Sequence, residues 1–169
     1  MNKGDKTKLL GMVLLHDRMA KLCIDLMEGL IAEIKADIEE GKFLADSLLE
    51  DDARDKYLRI ISIVEGELLK RLYENLEYMY DMYELFNFDL TILANLPEEL
   101  ERELHRLDII GTSNGRIEDI LSTLDMIINL GEEDERLRSL ITPFKVYRHM
   151  VEHAKNFCKG VKHESYMFI

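Results

Sequence analysis

Two stretches of this chain, each about 35 residues, repeat apolar residues every third or fourth position, a period that long helices satisfy and strands do not. The first, about Lys6 to Glu40, carries Leu15, Met19, Leu22, Leu26, Leu30, Ile34 and Ile38 in step. The second, about Asp52 to Phe86, carries Tyr57, Ile61, Val64, Leu68, Leu72, Leu76, Met79, Tyr83 and Phe86. A helix of that length is about 50 Å long, so the two segments either pair as an antiparallel hairpin or break once each. Gly66 is the expected break in the second, because glycine costs about 1 kcal/mol against alanine inside a helix. Gly41 is the expected stop of the first, followed by a short amphipathic piece, Phe43 to Leu49, and the acidic turn "EDD".

The second half punctuates the same pattern more often. "NFDLTILANL" reads as a short buried connector, and Pro97 suits the first position of a helix ending near Leu107. "GTSNG", Gly111 to Gly115, is the clearest loop. After it, Ile117, Ile120, Leu121, Leu124, Ile127 and Ile128 mark a helix stopped by Gly131, and "EEDER" is expected to open a short helical turn. Thr142 followed by Pro143 reads as a cap and start, and Gly160 as the matching stop, which predicts one helix over Pro143 to Lys159. No alternating strand pattern occurs. The expected fold is all-α, an antiparallel helical bundle of five or six helices, with a single helical domain over 1–160 and a C-terminal tail over 161–169.

Composition narrows what such a bundle can do. At 169 residues the chain is about one domain long and can bury a core without covalent staples. Its apolar runs are too short and too interrupted by charge to span a bilayer, and its start lacks a small-residue cleavage site, so a cytoplasmic location without membrane contact is expected. Cys23 and Cys158 fall in apolar stripes without Cys-x-x-Cys spacing and read as small core residues. The formal net charge of −12 opposes nonspecific attraction to nucleic acid, which needs clustered Lys and Arg. Glu, Lys and Arg are plentiful and Gln and Trp are absent, a balance of the kind hyperthermophile chains show.

Chemistry concentrates in "TPFKVYRHMVEHAKNFCKG", Thr142 to Gly160, and within it in "RHMVEH". At about 100° per residue, Phe144, Tyr147, Met150, Val151, Ala154, Phe157 and Cys158 share the packed face. His149 lies roughly opposite that face, with His153 about 40° from it and Arg148 at the other edge. Three readings of these polar residues stay open. They can be a solvated helix face. His149 and His153, at i and i+4, can ligate one metal ion if His16, His105, His163 or an acid supplies a further ligand.

The third reading is a resemblance. "RHMVEH" resembles the Arg, polar residue, three residues, His motif of HEPN domains, all-α proteins that often cut RNA without metal. The resemblance implies Arg148 and His153 as a catalytic pair, His149 as the auxiliary polar residue, and a site completed across a dimer. A histidine there would move the 2′-hydroxyl or leaving-group proton while the arginine holds the phosphate. On one regular helix, i and i+5 lie about 140° apart, so that chemistry calls for a second subunit or a distorted turn. Separately, "LCIDLMEG", Leu22 to Gly29, and "ENLEYMYDMY", Glu74 to Tyr83, resemble two segments of the flagellin export chaperones, helical bundles that hold a disordered protein end in apolar grooves. The later Ala-Asn and Leu-Arg…Trp signatures of those chaperones do not occur, and no binding residue carries over.

Elsewhere, Glu101 and His105 in "ERELH" and the turn-forming "NGR" read as helix surface and cap. Tyr73, Met79, Tyr80, Met82 and Tyr83 crowd one helix on more than one side, which marks a central helix or a partner-binding surface. The expectation is a non-catalytic helical protein-interaction or assembly subunit with a protein partner or self-association, no cofactor and no resident metal. The alternative is a HEPN-type metal-independent endoribonuclease or toxin using Arg148, His149 and His153, with RNA as partner in that case alone.

Overall fold

The computed structural model describes residues 3–84 and 114–167, and in them every regular element is helical. Helix α1 is Lys3–Leu48. Helix α2 runs without interruption over residues 51–84, as an α segment Asp51–Ile63, a π turn Val64–Leu68 and a second α segment Leu69–Glu84. Helix α3 is Asn114–Glu132 and helix α4 is Arg138–Met167. The described residues therefore form four helices, and the expected count of five or six is corrected. The expected helix from Pro97 to Leu107, the "NFDLTILANL" connector, and Glu101 and His105 lie outside the described residues.

Gly41 does not stop α1. It is buried, and a Cβ there would collide with the Tyr57 ring and hydroxyl, so the glycine is a notch that lets α2 close on α1. The amphipathic piece from Phe43 is consequently the last part of α1, and the chain turns only at Leu49 and Glu50, before Asp51 and Asp52 occupy the favourable first turn of α2. Thr142 is not a cap either. Its hydroxyl donates to the Arg138 carbonyl inside α4, and Pro143 sits within the helix, where the carbonyl that loses its partner belongs to the exposed Ser139. "EEDER" forms a hydrogen-bonded turn instead of a helical one, with the Asp134 carboxylate accepting from the Arg136 backbone N–H at 3.0 Å. Gly160 does not end α4, which continues to Met167.

Gly66 is a third case. In α1 the buried positions include the run 20, 24, 27, 31, 34, 38, 41 and 45, which alternates steps of four and three, a 3.5-residue period. In α2 the corresponding run is 53, 57, 60, 64, then 68, 72 and 75, one residue out of that register after Val64, with Ile61, Leu76 and Met79 buried beside it. The π turn over Val64–Leu68 holds the extra residue, so Leu68 and Leu72 return to the core and the helix does not break.

The chain divides into two compact units. Within the described residues, one comprises 3–26, 76–84 and 154–167. There the Tyr83 hydroxyl donates to Asp17 at 2.6 Å and Lys21 pairs with the same carboxylate at 3.1 Å, beside buried Ala20 and Ile24. Leu14, Leu15 and Leu22 are exposed, and Cys23 is half-buried. Met79 is buried while Tyr80 faces out, so the aromatic-rich end of α2 has one packed side.

The other unit, Met27–Asn75 with Asn114–His153, holds a segment of all four helices, each antiparallel to its neighbours in sequence. Tyr57 over Gly41 and Lys35 over the Tyr73 ring join α1 to α2. Arg71 donates to the Asp119 carbonyl and the Thr123 hydroxyl, joining α2 to α3. Arg136 grips Asp52 with both Nη atoms at 3.0 and 2.9 Å, and Lys56 reaches Asp134 at 3.4 Å. The Tyr147 hydroxyl donates to Asp37, joining α4 to α1. Fully buried Ile34, Ile61, Leu68, Leu72, Ile120, Leu124, Ile127 and Phe144 fill the space between.

Candidate functional site

The histidine-bearing part of α4 begins where a second glycine notch fixes its position. A Cβ on Gly131 would overlap Ile141 at the β-branched carbon itself, so α3 and α4 approach closely just past their turn. From there Ile141, Phe144, Tyr147 and Val151 bury the inner face of α4, with the Phe144 and Tyr147 rings edge to face at 6.0 Å. Burial and then the hydrogen bond to Asp37 raise the Tyr147 phenol above its ordinary value, and burial pushes Tyr57 up to about 12.

The edge of α4 toward α3 is ionic. Lys145 pairs with Glu132 at 2.5 Å, and the Arg148 Nε donates to Asp125. Arg148 also donates from Nη1 to Glu152 at 2.6 Å and from Nη2 to the second Asp125 oxygen at 3.5 Å. These two carboxylates, Asp125 first, raise the Arg148 pKa further. Their larger effect is on function: the guanidinium meets two anions of its own chain, and a phosphate would have to displace them.

The outer face is different. Val146, His149, Met150 and His153 follow at i, i+3, i+4 and i+7 and form one exposed stripe, with Val146 53% and Met150 37% exposed. Met126 is exposed on the neighbouring α3. Neither His149 nor His153 has a hydrogen bond or ion pair with another described residue. Among the sequence candidates, the helix therefore brings His149 and His153 together on one face and turns Arg148 away from both, toward α3. Of the further metal ligands considered, His16, His105 and His163 have side chains outside the described residues, and the described residues contain no group of three or more His, Cys, Asp or Glu able to hold an ion.

Two partners of this region were not anticipated from sequence. Asp125 is 23 positions away from Arg148, and only the α3–α4 packing brings them together. Glu152 was legible: with the histidines it completes a His-x-x-Glu-His spacing, the order that gives two metal ligands and a general base in one class of zinc enzymes. Here its carboxylate is committed to Arg148. No described helix is long and apolar enough to cross a membrane.

No protein-family model matches the chain, and no solved structure matches it. An uncharacterized protein of Aquifex aeolicus (strain VF5) is 40% identical over 164 residues, which cover 96% of this chain and 98% of that protein. The chain belongs to the same family as that protein.

Proposed function

We propose that this chain is a non-catalytic helical interaction or assembly subunit, and that a protein partner or a second copy docks on the outer stripe of α4. The observation that carries the reading is the pairing of exposed Val146 and Met150 with two uncommitted imidazoles, on a helix whose arginine is already neutralised. A stripe of this kind on a charged surface is what a partner helix covers. The ion pairs along its edge leave the stripe as a low-charge strip on a chain of net charge −12, so contact there meets less repulsion than elsewhere.

The test is the mass of the purified protein by sedimentation in EDTA, with a pull-down in parallel, for wild type and for the Val146→Glu, Met150→Glu double variant. The wild type is expected to be larger than one chain or to retain a partner, and the variant to lose that association with its helicity unchanged. A wild type that stays monomeric both in EDTA and in Zn²⁺ and retains nothing overturns the reading.

The HEPN-type ribonuclease is the second reading, favoured by exposed His149 and His153 on the same helix as Arg148. It requires Arg148 to leave Asp125 and Glu152 for RNA. RNA cleavage in EDTA that is present in wild type and lost in His153→Ala would support it, and equal cleavage, or none in either, removes it.

A further inference from the structure

We propose that His149 and His153 form half of a site for a divalent transition-metal ion of the zinc class, completed by the same two histidines of a second copy of this chain. The inference rests on the self-association form of the function proposed above, and it adds the ligand that specifies which face meets which. Side chains at i and i+4 of a helix have Cβ atoms about 5–6 Å apart on one face, the spacing at which two imidazoles share one ion. Both side chains are exposed and have no hydrogen bond or ion pair among the described residues, so binding breaks none of those.

The ligand type selects the ion. Two neutral imidazole nitrogens suit Zn²⁺, Ni²⁺ or Cu²⁺ and not Mg²⁺ or Ca²⁺, which need several oxygens. The nearby oxygens are withheld, because Asp125 and Glu152 both face Arg148. The described residues of one chain supply no third ligand group, and closed zinc sites are four-coordinate and tetrahedral. A two-fold axis through the ion duplicates the histidine pair and closes the shell, as an isologous contact requires. The same axis lays Val146 and Met150 of each copy against the other, covering the exposed apolar stripe. Electrostatics favours the ion as well: two chains of −12 repel, and a dication held by neutral ligands places positive charge where they touch.

The experiment combines calorimetric titration of Zn²⁺ into metal-free protein with sedimentation equilibrium in EDTA and in Zn²⁺. Wild type is expected to bind one ion per two chains and to self-associate about tenfold or more tightly with Zn²⁺ than in EDTA. His149→Ala and His153→Ala, each at an exposed position and each checked for unchanged helicity, should lose that increment. Binding of one ion per chain without a change in mass overturns the proposal, as does Zn²⁺ binding that survives in the double histidine variant, or no binding at all. Association in EDTA that Zn²⁺ leaves unchanged sinks the metal site and keeps the assembly reading. A monomer in both buffers that also captures no partner sinks both.

Discussion

The inner and outer faces of α4 are built from similar residue types and do opposite things. Phe144, Tyr147 and Val151 turn inward and are nearly inaccessible, whereas Val146 and Met150, one or two positions away, stand in solvent. The inner face satisfies its one hydroxyl with Asp37, and the outer face leaves two imidazoles without partners among the described residues. Between them runs the ionic edge of Lys145, Arg148 and Glu152. Residue type on a helix therefore says little about role until the face is known, and on this helix both imidazoles lie on the exposed face.

The widest separation of the two faces is expected in urea denaturation. Phe144→Ala removes a buried ring and should destabilise by about 3–5 kcal/mol, while Val146→Ser, two positions on, should stay within about 0.5 kcal/mol. Similar losses for both would break the distinction. A smaller effect sharpens it at the notch beneath the inner face. Gly131→Ala forces a methyl into the Cβ region of buried Ile141, which has no flexible end to move aside, and should cost about 1–3 kcal/mol. Gly66→Ala, whose methyl meets open space, should cost nothing or stabilise by up to about 1 kcal/mol. The same assay reads both.

The smallest effect concerns alkaline pH. Tyr57 and Tyr147 hold their protons more tightly in the fold than in the unfolded chain, where a tyrosine titrates near 10, and Tyr57 does so up to about 12. With the folded pKa raised, the unfolded chain releases protons first. The stability that Tyr57 provides is then complete below about pH 10 and is lost as pH climbs through about 12, and the raised Tyr147 adds a loss of the same sign. Denaturation midpoints between those values should fall less steeply in the Tyr57→Phe, Tyr147→Phe double variant than in wild type. An unchanged slope would show that the polar node of the inner face does not discriminate protonation states.

Much of this was legible in the residues. The apolar period marked α1, α2 and α3, and the stripe Phe144, Tyr147, Val151 marked the inner face of α4 along with the outward placement of His149 and His153. Met150, assigned to the packed face, lies at its margin and is 37% exposed. What misled was punctuation. Gly41, Gly160 and the pair Thr142 and Pro143 are residues that often end or begin helices, and each sits inside one here. A glycine's propensity penalty is about 1 kcal/mol, within reach of what one well-seated aromatic ring returns, so packing against Tyr57 outweighs it at Gly41. The candidate site was half visible: the two histidines and Glu152 share one short motif, but the role of Arg148 depends on Asp125, which no local pattern connects to it.

By itself the sequence determined the helical class, the inward faces and the outward placement of His149 and His153, because all three follow from the 3.6-residue repeat acting on neighbours along the chain. Only the tertiary structure decided that four helices form among the described residues, that a π turn at Gly66 restores the register of α2, and that Arg148 is neutralised from α3. Those outcomes depend on contacts between residues far apart in the chain, where a notch, a methyl group or a carboxylate on one helix sets the energy of a position on another.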